Sequence, residues 1–143
     1  MFLMRMTTMA NYICDVRSNY VHVKDKDEFV EFLLSFECNP IYTNEGRIGF
    51  ICEHPDGASP NRYDEETDDL LELYDASKEI GKHLCEGEVL IVEEIGRENM
   101  RYLVGVTFAF NHKGESLFVD MKNALREKVS SNWGVQKYTD ATY

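Results

Sequence analysis

An α+β fold built on a mainly antiparallel sheet is what this sequence predicts, and three observations predict it. Apolar residues alternate or run continuously over short stretches separated by Asn/Gly turns, as strands joined by hairpins do. Elsewhere they recur at three and four residues, as on amphipathic helices. The predicted order, β-α-β-β-α-β-β-α-β, contains more hairpin connections than crossovers, which favours antiparallel pairing over a doubly wound parallel sheet. With 143 residues and 43% hydrophobic content, the chain is large enough for one domain with a real core and about three helices packed on the sheet.

The elements follow in order. Tyr20-Val21-His22-Val23 alternates and reads as a strand. Asp25 caps a helix, with Glu28 three residues on completing a capping box. Phe29, Phe32, Leu33 and Phe36 then give residues 26–36 an aromatic stripe, and Asn39-Pro40 stops them. Residues 40–42 and 47–52 read as strands joined through Asn44-Glu45-Gly46. His54 to Asn61 carries two of the three prolines and reads as a loop. Leu70, Leu73, Tyr74, Ser77, Ile80 and Leu84 share one face at helical spacing, which predicts a helix from about Asp64–Thr67 to His83.

Val89-Leu90-Ile91-Val92 suits a central strand. Tyr102, Val104, Val106, Phe108 and Phe110 line one side of the next, residues 101–110, with Leu103, Gly105, Thr107 and Ala109 on the other. Ser116 is expected to cap a helix to about Lys128, with Leu117, Met121, Ala124, Leu125 and Val129 inward, and residues 135–138 to close the sheet. Three helices cover one face of such a sheet more readily than two, and an uncovered face predicts a homodimer.

Charge is the strongest functional signal. From Glu53 to Glu98 there are 15 Asp/Glu against 4 Lys/Arg, a balance of −11, while the rest of the chain carries 11 of each. The densest part runs from Asp64 to Asp75. Its carboxylates Asp64, Glu65, Glu66, Asp68, Asp69, Glu72 and Asp75 form the candidate partner-binding set. A localised negative field repels nucleic acid and attracts basic protein surfaces. On a helix rising about 1.5 Å per residue, successive carboxylates would approximate the charge spacing of duplex DNA, one per about 1.7 Å, and so present a decoy to a nuclease or DNA-binding complex. The same acids also have a plainer use, since carboxylates at a helix start favour the macrodipole and a charged face keeps a protein soluble.

Other chemistries find less support. Asp64 onward lacks the sixth-position Gly of a calcium loop. Cys52-Glu53-His54 and His83-Leu84-Cys85 lack structural zinc spacing, and Cys52 reads as a small buried hydrophobe. Neither metal nor cofactor is expected. Walker, Rossmann, nucleophile-elbow and His-Glu-x-x-His motifs are absent, so no catalytic residue is assigned. An enzyme assembled from scattered groups such as Arg17, Tyr20, His22, His54 and Glu94 is the alternative class, and a self-associating structural protein a third. Direct nucleic-acid binding is disfavoured by basic residues mixed with acids and a pI near 4.7.

Cys14, Cys38, Cys52 and Cys85 are too few and too widely spaced for a disulfide framework, so a reduced cytoplasmic setting is expected. No stretch approaches a membrane span. Met9 is a plausible start, making residues 1–8 a disordered extension ahead of a domain over 9–143.

Asn19-Tyr20, Val23-Lys24-Asp25, Gly87-Glu88-Val89, Arg101-Tyr102-Leu103 with Gly105, and the terminal Ala141-Thr142-Tyr143 together resemble a small family of uncharacterised proteins from bacteriophages and other bacterial mobile elements. Such proteins begin close to Met9. The resemblance spans most of the chain and implies a phage or plasmid context inside a host bacterial cell, where small acidic proteins often block host defences. It implies no catalytic residues. The expectation is thus an acidic protein-binding module, acting as an inhibitor of a host defence nuclease or DNA-binding complex.

Overall fold

The computed structural model describes residues 12–53, 59–98 and 102–139. The expected extension over residues 1–8, the start at Met9 and His54 lie outside the described residues. Among those described, eight strands and three α-helices make an α+β domain, as the sequence predicts. They are β1 (Tyr12–Ser18), α1 (Lys26–Ser35), β2 (Asn39–Tyr42), β3 (Ile48–Glu53), β4 (Asn61–Asp64), β5 (Asp69–Glu72), a 3-10 turn (Leu73–Asp75), α2 (Ser77–His83), β6 (Val89–Glu98), β7 (Tyr102–Asn111), β8 (Ser116–Asp120) and α3 (Met121–Trp133).

Six strands form one antiparallel sheet in the order β2-β3-β1-β6-β7-β8, and β4 with β5 forms a separate hairpin. Strand period then divides the sheet into two faces. Tyr12, Cys14 and Val16 of β1, Leu90 and Val92 of β6, and Val106, Phe108 and Phe110 of β7 lie on the core face and are buried. Helices α1 and α2 cover that face, joined by the His83 ring, which packs 5.5 Å from Phe29 and 5.0 Å from Phe32. Burial lowers the His83 pKa, and the nearby Glu79, Glu28 and Asp25 oppose that shift. The outer face keeps Ile13, Ile95, Leu103, Leu117 and Val119 exposed. No helix among the described residues is long and apolar enough to cross a membrane.

Several expectations hold locally. Asp25 caps α1, its side chain accepting from the Glu28 amide at 3.1 Å. Gly46, at φ 82°, makes the β2–β3 turn. The large-residue side of β7 is the one packed beneath the helices.

Four expectations are corrected. The first strand is β1, while Val21 and Val23 make only isolated bridges to Ile48 and Leu84. The helix expected from Asp64–Thr67 to His83 exists only as α2; upstream the chain is a hairpin and a 3-10 turn. Like charges three and four residues apart, such as Asp64 with Asp68 and Glu65 with Asp69, oppose a helix there. Residues 116–120 form strand β8 rather than a helix start, because the turn at Gly114, φ 81°, returns Leu117-Phe118-Val119 alongside β7. Asp120, not Ser116, caps α3, accepting from the Lys122 amide at 3.0 Å. Finally, residues 135–138 form no strand, and α3 buries no side chain; Leu117, Met121 and Leu125, expected inward, are exposed, and Ala124 and Val129 are half-buried.

Candidate functional site

The acidic set forms a β-hairpin, not a helix. Asp64 closes β4, Asp69 opens β5, and Glu65, Glu66 and Asp68 lie exposed in the turn between them. The turn is built by its own side chains. Asp64 Oδ1 accepts from the Glu66 amide at 2.9 Å, a local bond that Asp makes readily in turns. Asp68 adopts φ 53°, a left-handed conformation that Asp tolerates better than most residues, and its carboxylate accepts from the Tyr63 hydroxyl. That bond raises the Tyr63 pKa above its ordinary value.

One cation ties the hairpin to the helices. Arg62 pairs with both Glu79 oxygens, at 2.9 and 3.2 Å, and its guanidinium lies 4.7 Å from the Phe36 ring centroid. The ion pair is partly exposed and worth about 1 kcal/mol or less; stacking on the ring adds to it.

The root of the hairpin is buried. Glu72, paired with Asn61 in the register, is 2% exposed, and neither of its carboxylate oxygens has a hydrogen-bond partner among the described residues. Burial, then the charges of Asp75 and Glu94, push its pKa up to about 7. Glu72 therefore leaves the exposed partner-binding set: the backbone alternates through β5 and carries its side chain inward. Asp75 is exposed but lies beyond the hairpin, in the 3-10 turn.

Beneath this root stands a second buried carboxylate. Glu94 of β6 is fully buried and accepts from the Tyr12 hydroxyl at 2.7 Å, the Tyr74 hydroxyl at 2.7 Å and the Ser59 hydroxyl at 3.2 Å. The Tyr74 ring stacks 3.9 Å from Phe108, so the 3-10 turn is fixed both by packing and by polarity. Burial first, and the Glu94 charge second, raise the Tyr12 and Tyr74 pKa values well above the ordinary tyrosine value and push the Cys14 thiol up to about 12. Gly96 makes room: a Cβ there would overlap the Tyr12 hydroxyl and ring. With three donors on its two oxygens, Glu94 is equipped to anchor the hairpin to the sheet.

The scattered catalytic candidates are not brought together among the described residues. Arg17 lies on the outer face and donates to the Tyr20 hydroxyl at 3.0 Å; Glu94 points into the core. The His22 ring accepts from Arg47 at 3.2 Å. Cys52 is buried in β3 and His83 sits between phenylalanines. No group of three or more His, Cys, Asp or Glu among the described residues is placed to hold a metal ion.

A groove of about 420 Å³ lies on the outer face. Gly105 and Thr107 lie among its lining residues with Ile95, Leu103, Val119 and Met121. It is apolar, with Glu93 among its lining residues. Comparison with protein-family models, curated proteins and solved structures found no match for the chain.

Proposed function

We propose that the protein is an acidic protein-binding module that presents the β4–β5 turn to a basic protein surface. One observation carries this reading: Glu65, Glu66, Asp68 and Asp69 are all exposed within five residues, on a chain that is charge-balanced outside 53–98. Tyr63–Asp68, Asp64–Glu66 and Arg62–Glu79 hold the tip in shape before binding, which lowers the ordering cost of association. The acidic field would act mainly on the rate of approach and would weaken with salt.

The target class that fits is a basic phosphate-binding surface, such as that of a nuclease or DNA-binding complex. The resemblance to phage and mobile-element proteins favours a host defence component. A hairpin tip is a compact knob rather than a rod, so the fit is to a basic pocket, not to a long groove shaped for duplex DNA. Reversing Glu65, Glu66 and Asp69 to Lys tests this, because all three are exposed and surface changes cost little stability. Affinity capture from host lysate at low salt should recover a basic partner with the native chain and not with the reversed one. Equal capture by a folded reversed chain would sink the proposal.

A further inference from the structure

The outer face of the sheet is a surface that the acidic tip does not use. Ile13, Ile91, Ile95, Leu103, Leu117 and Val119 lie on it, each between 39% and 76% exposed. Met121 and Leu125, 53% and 59% exposed, carry the apolar surface onto α3. An aliphatic side chain worth about 2–3 kcal/mol at about 25 cal/mol per Å² corresponds to on the order of 100 Å². Eight such side chains, each about half exposed, therefore offer on the order of 400–500 Å² of apolar area. That falls within the roughly 300–600 Å² of the largest apolar patch on a typical monomer, a patch that is often functional. It approaches the apolar share, about 65%, of the roughly 800 Å² that each partner contributes to a standard homodimer interface.

We infer that a second copy of this chain covers this face, the two sheets packing outer face to outer face about a two-fold axis that crosses the strands over Ile95. Charge supplies the argument for a copy rather than another partner. All of the chain's −11 falls within residues 53–98, which include β6, yet the charged residues of β1 and β6 on this face are Asp15, Arg17, Glu93 and Arg97, which sum to zero. Along β6, Glu93 and Arg97 stand two residues to either side of Ile95, about 7 Å each way. A two-fold axis perpendicular to the strands and lying between the sheets sets Ile95 against Ile95. It also sets Glu93 of each copy against Arg97 of the other. The same axis sets Asp15, level with Ile95 in the register, against Asp15 of the copy, so the complementary pairs are the two Glu93–Arg97 contacts, in the isologous arrangement that a two-fold requires. The groove over Gly105 and Thr107 gives the apolar side chains of the copy a place to seat, at the roughly 10 Å separation of packed sheets.

Sedimentation equilibrium of the full chain, taken to about 100 µM to span the weak end of interfaces this size, should give twice the 16.6 kDa of one chain. Glu93→Arg and Arg97→Glu should each raise the dimer dissociation constant at least about tenfold, because each sets like charges against each other at two points. An equimolar mixture of the two variants should restore dimer, since a chain with arginine at both positions then faces a chain with glutamate at both. Within one chain these positions are about 13 Å apart along a strand, so recovery on mixing cannot arise inside a single copy. Ile95→Glu, at a position 67% exposed, should remain folded by circular dichroism and be monomeric. A native chain that stays monomeric throughout overturns the inference. So does a dimer indifferent to Ile95→Glu, or a mixture that stays monomeric. None of these variants touches the acidic hairpin.

Discussion

Replacing Glu72 with Gln should stabilise the protein at pH 8 and leave it almost unchanged at pH 5. The carboxyl is buried without a hydrogen-bond partner among the described residues, and burial with the neighbouring Asp75 and Glu94 charges moves its pKa from 4.5 to about 7. Between those two values the native state holds a proton that the unfolded chain has released. Stability from this group is thus complete below about pH 4.5, falls as pH rises, and is lost once pH passes about 7. At about 1.4 kcal/mol per pH unit, the loss across the window is about 3 kcal/mol. Gln removes the charge but keeps buried polar atoms without partners, at a cost of about 1 kcal/mol, so the net gain at pH 8 should be about 2 kcal/mol. With a urea slope near 2 kcal/mol per M, the unfolding midpoint should rise by about 1 M at pH 8 and barely move at pH 5. Far-ultraviolet circular dichroism is the suitable probe, because Trp133 is 76% exposed on α3 and reports little of the core. A midpoint difference between variant and native chain that is the same at both pH values would refute the reasoning.

Three other outcomes follow from the hairpin root and its ties. Tyr74→Phe should cost about 2 kcal/mol in urea unfolding, because a hydrogen bond to a buried carboxylate is lost and Glu94 keeps only two donors. Gly96→Ala should cost about 2 kcal/mol or more and lower the melting temperature, since the added methyl lands on the Tyr12 ring. Arg62→Ala should cost about 1 kcal/mol and speed amide hydrogen exchange in β4 and β5 relative to β6 and β7, the hairpin losing its tie to Glu79 and Phe36.

Elements defined by short-range signals were legible in the sequence. The Asp25 cap, the Gly46 turn, the apolar run opening β6 and the alternation of β7 each depend on residues a few positions apart. β1 was not legible in the same way. Its Tyr12, Cys14, Val16 and Ser18 alternate with Ile13, Asp15 and Arg17, so neither set stands out as apolar. The more regular Tyr20–Val23 stretch carries the stronger strand signal.

In the acidic segment, helical spacing arose by coincidence from three elements. Leu70 is in β5, Leu73 and Tyr74 are in the 3-10 turn, and Ile80 is in α2. Apolar periodicity alone takes no account of carboxylate repulsion. Glu94 illustrates the remaining gap. Extending the parity of Leu90 and Val92 places Glu94, rather than Glu93, inward. Its tyrosine partners are 82 and 20 residues away, and no local pattern announces them.

The two proposed surfaces lie on opposite sides of the sheet. The hairpin is tied through Arg62 to α1 and α2, which cover the core face, and the self-complementary apolar patch is on the outer face. Two copies packed outer face to outer face would therefore carry their acidic tips away from one another, with the −11 of each chain held far from the other. This placement would let a strongly acidic chain associate with itself, the interface lying where the charges of β1 and β6 sum to zero and the tips lying on the far sides of the two sheets. It would also make the dimer bivalent. A basic partner that is itself dimeric would be bound by both tips only if its sites lie on surfaces facing each other across that thickness, whereas a monomeric partner would bind two per dimer. The stoichiometry of a captured complex, compared between the native chain and Ile95→Glu, separates the two surfaces. The tip should still bind in the monomeric variant, at one partner per chain, and any avidity should disappear with the dimer.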